Sequence, residues 1–285
     1  MIIDAHQHIW NLERADYPWL GPELGAINRT MTFDELAPTL AARGITGSVL
    51  VEAADNAADT EVMLDAARRH PQVVAVVAWA PLDIPDELPA HLEQLAGHTV
   101  VRGIRNLFHA HPREWATSPQ VDRGLGLLAA SGLCLDFVTS GPAAIADLPG
   151  IGERHPNLRI VIDHLGKPPI GGTGEQRAEW RASLSAAAAN PLTHAKVSGL
   201  YSSVGDLARW TTDGVRPFFD DALELFGADR LMYGGDWPIS ELAGGYERTW
   251  ESLEQLVAPL SAAERGALLG QTAQAFYRIP SRTSS

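Results

Sequence analysis

The stretch that decides the fold is IIDAHQHI, residues 2–9, a short apolar run that ends in polar side chains. Runs of the same kind, mostly aliphatic and β-branched, recur along the chain at residues 45–53, 73–81, 99–106, 133–138, 158–164, 193–199 and 230–236. Such runs are typical of buried parallel strands. Their spacing of about 25–45 residues leaves room for one helix between successive strands.

The segments between these runs have the pattern of amphipathic helices. Apolar residues recur at helical spacing in two sets, Leu253, Leu256, Val257, Leu260 and Phe219, Ala222, Leu223, Phe226. Thr32 with Glu35 and Ser261 with Glu264 have capping-box spacing, which marks helix starts. Eight such units predict an α/β fold, a closed (β/α)₈ TIM barrel in a single domain over residues 1–280, with a polar tail at 281–285.

An open doubly wound sheet is the alternative architecture. Its first strand would be followed by a glycine-rich turn that cradles a phosphate, whereas this turn holds His6-Gln7-His8. The chain also contains two irregular segments, residues 10–31 after the first run and 168–174 after the sixth. In a barrel both would lie at the carboxyl ends of strands, where long loops commonly form binding sites.

Composition restricts the partners and the compartment. The 285 residues carry 22 Lys and Arg against 35 Asp and Glu, a net charge of −13 that opposes binding to nucleic acid or an anionic membrane. A single cysteine, Cys134, excludes an intramolecular disulfide and favours the cytoplasm. Neither a signal peptide nor a run of the ~20 apolar residues needed for a membrane span is expected. The oligomeric state stays open.

Polar side chains collect at the ends of three predicted strands. Side chains alternate along a strand, so His6 and His8, two residues apart, point to the same side, into the barrel mouth. His164 and Asp236 end the sixth and eighth runs at the same rim. Alone, each imidazole could be a hydrogen-bonded core residue, and Asp236 could be a turn residue or helix cap. Together they predict a catalytic site in which Asp236 is the general base.

These residues occur in ordered motifs that resemble the amidohydrolase superfamily, in particular its sugar-lactone hydrolases, the fuconolactonase, rhamnonolactonase and pyrone-dicarboxylate lactonase subgroup. The motifs span nearly the whole chain: DAHQH at 4–8, YPWL at 17–20, RGIR at 102–105, DHLGKP at 163–168, KVSGL at 196–200, GGDWP at 234–238 and AFYR at 275–278. The resemblance implies a barrel that hydrolyses a lactone. It also implies that Asp236 activates water, while His6, His8 and His164 polarise the carbonyl or bind metal.

The expected metal content is at most one divalent ion. The wider superfamily often supplies a Lys or Glu on the fourth strand and a His on the fifth, where this chain has Arg105-Asn106 and Asp136. One Zn²⁺ held by His6, His8 and Asp236 would keep open positions for water and substrate. The subgroup also includes an enzyme that works without metal, so metal independence is the alternative, and no organic cofactor is expected.

Further residues at the predicted rim are candidates for substrate binding, each with a salt bridge or simple packing as the alternative role: Arg105, Glu52, Asp136, Lys196, Ser198, Trp19 and Trp237. Arg102 lies on the opposite face of its strand by parity, so one member of the Arg102 and Arg105 pair is expected to be structural. His109 and His111 follow the fourth strand on the active face, and either could reach the site.

The predicted function is hydrolysis of a small-molecule sugar lactone, or a related carboxylated lactone, to its hydroxy acid by water that Asp236 activates. The alternative enzyme class is non-oxidative decarboxylation of an aromatic or muconate-type acid, which would release CO₂. A non-catalytic binding barrel is a third reading, and it would return its ligand unaltered. The sequence does not specify which lactone or ring size is used.

Overall fold

The computed structural model describes residues 1–139, 141–204 and 206–281. Eight parallel strands pair in chain order, which confirms the predicted (β/α)₈ barrel. The strands are β1 (Ile2–Gln7), β2 (Ile45–Val51), β3 (Val73–Ala78), β4 (Val101–Asn106), β5 (Cys134–Phe137), β6 (Ile160–Ile162), β7 (Thr193–Val197) and β8 (Leu231–Tyr233). Each lies inside a predicted run. Several stop earlier than predicted because their last residues enter the turns that build the rim.

The barrel closes between β1 and the residues that follow β8. Asp236 N–H donates to His6 O at 2.8 Å, and His8 N–H donates to Trp237 O at 2.7 Å. The buried Asp4 side chain reinforces this seam because its carboxylate accepts hydrogen bonds from Gly235 N–H and the Tyr246 hydroxyl. The strand that carries the two histidines is thereby tied to the segment that carries Asp236.

Helices surround the strands, and the predicted capping boxes are present at Thr32 and Ser261. The predicted apolar stripes are buried apart from Leu223 and Leu260, which are half-buried. The helices are α1 (Phe33–Ala42), α2 (Ala57–Arg69), α3 (Leu88–Ala96), α4 (Pro119–Ser131), α5 (Pro142–Ile145), α6 (Leu148–Arg154), α7 (Gly174–Ala188), α8 (Thr212–Phe226), α9 (Tyr246–Val257), α10 (Ala262–Gly266) and α11 (Thr272–Phe276).

The end of the chain packs against the amino-terminal side of the barrel. A Cβ on Gly270 would lie 2.3 Å from Met1 O, so the segment before α11 touches the start of the chain. The buried Tyr277, just after α11, donates its hydroxyl to Asp136 Oδ2 at 2.7 Å. Of the predicted tail, residues 282–285 lie outside the described residues. Within the described chain no helix is both long and apolar enough to cross a bilayer.

Candidate active site

The two histidines of β1 converge with the predicted base. His6 Nε2 and His8 Nε2 are 3.0 Å apart, and Asp236 Oδ1 lies 3.7 Å from the first and 3.5 Å from the second. All three side chains are buried. The second nitrogen of His8, Nδ1, lies 2.8 Å from the Val51 carbonyl oxygen, which accepts a hydrogen bond from it. These contacts bring together the three residues that were predicted as metal ligands.

His164 completes the group from a tight turn after β6. Its backbone is left-handed, with φ of 55°, and its ring centroid lies 4.6 Å from that of His6. Ser198 Oγ lies 2.9 Å from His164 Nδ1 and holds the ring. Burial lowers the pKa of His164 to about 4 and the pKa of His6 well below its usual value. Both imidazoles are therefore neutral at neutral pH.

Asp236 has the properties of an ionised base. Burial acts to raise its pKa, but the neighbouring imidazoles, chiefly His164, outweigh burial and hold the pKa below its usual range. The Tyr201 hydroxyl donates to Asp236 Oδ2 at 3.0 Å and orients the carboxylate. Gly199 lies against it, since a Cβ there would sit 2.6 Å from Asp236 Oδ2 and 2.5 Å from His164 Nδ1.

A buried ionic layer lies beneath these residues. Lys196 Nζ contacts Asp136 Oδ2 at 2.5 Å, Asp163 Oδ1 at 3.0 Å and His6 Nδ1 at 3.0 Å. The three charged side chains are fully buried. Burial lowers the pKa of Lys196, but the carboxylates of Asp136 and Asp163 outweigh burial and raise it. The ammonium group is therefore charged and contacts the inner side of His6.

Arg105 links this layer to the pocket above it. Its Nε lies 3.5 Å from Glu52 Oε1 and 3.4 Å from Asp163 Oδ2, and its Nη1 donates to Glu52 O. Burial raises the pKa of Glu52 well above its usual value. Arg105 also lines the open pocket, whereas Arg102 lies half-buried on the opposite face of β4. The arginine that faces the site is thus Arg105.

The pocket at the carboxyl ends of the strands has a volume of about 620 Å³. Its walls include five of the residues predicted for the site, namely His8, His164, Asp236, Arg105 and Trp19. Glu52, Asp136 and Lys196 are buried below it, and Ser198 and Trp237 are buried beside it, so none of these five is part of its lining. His6 is also absent from the lining, but it contacts three residues that line the pocket, His8, His164 and Asp236.

The pocket also contains Lys167, which the sequence analysis did not propose for the site, and His109, one of the two histidines that could reach it. Lys167 lines it and has a left-handed backbone, with φ of 55°. His109 lines it too, and burial lowers the pKa of this imidazole to about 3. His111 instead contacts Asp55 at 2.9 Å and stacks on Trp115. Strand parity gives no signal for Lys167 or for Tyr201, because both lie on turns beyond the strands.

The aromatic residues of the first long loop have different roles. Trp19 reaches the pocket, and its Nε1–H donates to Ala53 O at 2.7 Å. Trp10 Nε1–H donates to Arg29 O at 2.6 Å, and the Tyr17 hydroxyl donates to Asp59 Oδ1 at 2.8 Å. Trp10 therefore joins the beginning of the loop to its end, and Tyr17 attaches the loop to α2, while Trp19 forms a wall of the pocket.

Comparison with known proteins places the chain in a family. The chain is 35% identical to an L-fucono-1,5-lactonase of Burkholderia ambifaria, over 97% of this chain and 95% of that protein. It is 33% identical to an L-fucono-1,5-lactonase of Burkholderia multivorans, over 98% and 96%. A crystal structure of a Burkholderia multivorans amidohydrolase with bound Zn superposes with a TM-score of 0.91 at 33% identity, over 98% of this chain and 100% of that one. An amidohydrolase family model matches residues 3–279, and the chain belongs to that family, as its motifs predict.

Proposed function

We propose that this protein is a lactonase that hydrolyses a sugar 1,5-lactone, of the L-fucono-1,5-lactone kind, to the hydroxy acid. The observation that carries this proposal is the ionised Asp236 beside neutral imidazoles at the floor of an open pocket. The fuconolactonase relatives support the substrate class because they match this chain over nearly its full length. We also infer a cytoplasmic location, consistent with the lone buried thiol of Cys134.

In the proposed mechanism Asp236 accepts a proton from the water that attacks the lactone carbonyl. Full transfer from bulk water, with a pKa of about 15.7, to a carboxylate is far uphill, so proton transfer accompanies attack. A lactone is an activated ester, for which base assistance of about 10²–10⁴-fold is effective. His164 lines the pocket and stabilises the oxyanion, whereas His8, whose proton is donated to the Val51 carbonyl, acts as a ligand if a metal binds. Protonated Asp236 then returns its proton to the alkoxide as the ring opens.

The donor atoms fit a divalent metal. Neighbouring ligands around a tetrahedral Zn²⁺, each about 2.0–2.2 Å from the ion, lie about 3.4 Å apart. The atoms of His6, His8 and Asp236 are separated by 3.0–3.7 Å, and His6 and Asp236 also form a cluster with His164 in which the ligand atoms lie within 4.8 Å of one another. We propose that these residues hold the ion when it binds. It would then lower the pKa of bound water to about 7 and polarise the carbonyl.

We propose two roles for the remaining predicted residues. Arg105 and Trp19, with Lys167 and His109, contact the substrate because they line the pocket. Arg105 donates to a substrate oxygen, since its guanidinium is charged and oriented by the acids below it. Lys196, with Glu52 and Asp136, positions these groups from below rather than touching the substrate. Ser198 positions His164 through its hydroxyl.

The test is acid release from a panel of aldono-1,5- and aldono-1,4-lactones and dicarboxylate lactones. We expect turnover of a 1,5-lactone by the wild type and a loss of about 10²–10⁴-fold in kcat for Asp236→Asn, because the base is removed. His91→Gln is the matched control, since His91 lies on α3 outside the pocket and its loss leaves kcat unchanged.

Three outcomes would contradict the proposed function or the proposed role of Asp236. If the wild type releases acid from none of the lactones, the proposed function is overturned. Release of CO₂ from an aromatic or muconate-type acid would establish the decarboxylase alternative. Full activity of Asp236→Asn would show that Asp236 is not the base. Running each assay with and without a chelator, and with Zn²⁺ restored, separates the metal from the protein residues.

A further inference from the structure

We propose that Lys196 is a positioning residue that fixes the proton of His6 on Nε2 and thereby weakens metal binding at the histidine pair. The inference rests on the metal site proposed above but is independent of the identity of the substrate. It is carried by the direction of three hydrogen bonds that connect β7, β1 and β2. These bonds involve Lys196, His6, His8 and the Val51 carbonyl.

Lys196, at one end of this row of hydrogen bonds, can only donate, and the Val51 carbonyl, at the other end, can only accept. A lysine ammonium has donors and no acceptor, so His6 Nδ1, 3.0 Å from Lys196 Nζ, accepts a hydrogen bond. A neutral His6 then carries its proton on Nε2. At the other end the Val51 carbonyl can only accept, so His8 Nδ1 carries the proton and His8 Nε2 has the lone pair. His6 Nε2–H therefore donates to His8 Nε2 across 3.0 Å.

A metal ion requires a different proton arrangement. Both Nε2 atoms must offer lone pairs, so the proton of His6 has to move to Nδ1. The structure provides an acceptor for it, because Asp163 Oδ1 lies 3.3 Å from His6 Nδ1. Within the described chain this buried oxygen receives no hydrogen bond of regular geometry, although Lys196 Nζ is close by. The site can thus support either tautomer of His6.

Lys196 favours the tautomer that cannot bind metal. Its ammonium is fully buried and contacts Asp136 Oδ2 and Asp163 Oδ1, while Asp136 is itself held by the Tyr277 hydroxyl. The lysine therefore cannot turn away from His6 without losing a buried ion pair. With the proton on His6 Nδ1, an N–H of Lys196 would point at another N–H. Metal binding has to overcome this opposition.

The first experiment measures the tautomer directly by ¹⁵N NMR of the metal-free protein labelled at its ten histidines. The signals of His6 are assigned by their loss in His6→Gln. We expect Nδ1 unprotonated and Nε2 protonated in the wild type, and the reverse in Lys196→Met, where Asp163 becomes the partner of Nδ1. A wild-type spectrum with the proton on Nδ1 would overturn the proposal, whatever the variants do.

The second experiment measures Zn²⁺ affinity by competition with a chromophoric chelator. Lys196→Met alone leaves an additional uncompensated negative charge, which attracts cations by itself. The decisive protein is therefore the double variant Lys196→Met/Asp136→Asn, which removes one charge of each sign. We expect the double variant to bind Zn²⁺ about 10-fold more tightly or better, the size of outer-shell effects on metal affinity. Asp136→Asn alone, which keeps the lysine donor, should bind Zn²⁺ no more tightly than wild type.

Tightening confined to the single Lys196→Met variant would mean that charge alone is responsible, and the proposal would fail. The proposal would also fail if neither variant binds Zn²⁺ more tightly. Circular dichroism checks that each variant is folded, and the wild-type spectrum decides the matter if one is not. If the wild type releases acid from no lactone, the proposed function fails, while the NMR result still judges the role of Lys196.

Discussion

Gly199 allows His164 and Asp236 to approach each other across a single backbone position. Its φ is +54°, and an added methyl group would lie about 2.5 Å from both side chains. We expect Gly199→Ala to abolish lactone turnover because either the base or the imidazole must move. The cost in unfolding free energy should be about 1–3 kcal/mol, from backbone strain and crowding together. Denaturant unfolding and acid release measure the two effects.

Gly44 supplies the matched control for this substitution. Its φ is +69°, but nothing lies within 4 Å of the position of a Cβ there. Gly44→Ala therefore isolates the cost of the left-handed backbone, about 1–2 kcal/mol, and leaves turnover intact. If Gly199→Ala retained wild-type turnover, the close packing around Asp236 would have no catalytic importance.

Strand parity predicts some residues of the site well and others poorly. It places His6 and His8 together because both lie on or just after a regular strand. It fails after β6, where the left-handed backbone at His164 and Lys167 lets both side chains line the same pocket. Parity also gives no information on how deep in the barrel an inward side chain lies. By parity Lys196 on β7 and Ser198 just after it share one face, but inward side chains form layers, and Lys196 occupies a lower one.

At the scale of elements, the first long loop is fixed rather than free. Its attachment includes Asp59 on α2, which accepts hydrogen bonds from Tyr17 OH and Ala53 N–H. The sequence predicts an irregular segment at residues 10–31 but not this attachment, because the partners lie far apart in the chain. The wall that Trp19 contributes to the pocket therefore depends on a buried carboxyl group.

Asp59 should make stability depend on pH. Burial raises its pKa to about 7 in the folded protein, against about 3.9 when unfolded. The folded state therefore holds a proton that the unfolded state has lost, and this contribution to stability disappears as pH rises through 7. Between pH 5 and 8 the loss should be about 2–3 kcal/mol, at about 1.4 kcal/mol per pKa unit.

The measurement compares the unfolding free energy of wild type and Asp59→Asn at pH 5 and pH 8. The variant loses this contribution, because an amide does not titrate in this range. Wild type should therefore lose about 2–3 kcal/mol relative to the variant over the interval, whatever other groups contribute to both. Parallel pH profiles for the two proteins would refute the assignment of the pKa to Asp59. Asp34→Asn, at an exposed residue of α1, is the control for a carboxyl that is not buried.

At the scale of the molecule, the two ends of the chain meet under the barrel and support the site from below. Tyr277 donates to Asp136, which in turn contacts Lys196. We expect Tyr277→Phe to reduce the unfolding free energy by about 1–3 kcal/mol, since it leaves a buried carboxylate short of a donor. Tyr233→Phe is the matched control, because within the described residues the buried Tyr233 hydroxyl donates to no carboxylate. Equal losses of unfolding free energy in the two variants would contradict the proposal that Tyr277 supports Asp136.

The barrel itself was predictable from the sequence because its signal is repeated eight times, so an error at one strand end does not change the architecture. The seam between β1 and the segment after β8 was not predictable. It depends on Asp4, whose carboxylate contacts Gly235 and Tyr246 from the opposite end of the chain. Single residues that join distant segments leave no periodic pattern.

The position of Tyr277 also sets an order of events during synthesis. A ribosome releases His6 before Asp136 and Lys196, and Tyr277 emerges only after all of them. Asp136 and Lys196 therefore remain without their full set of partners in any nascent chain that stops before α11. We expect translation products that stop before α11 to lack an assembled site, so the cell gains the activity only from chains extended past Tyr277.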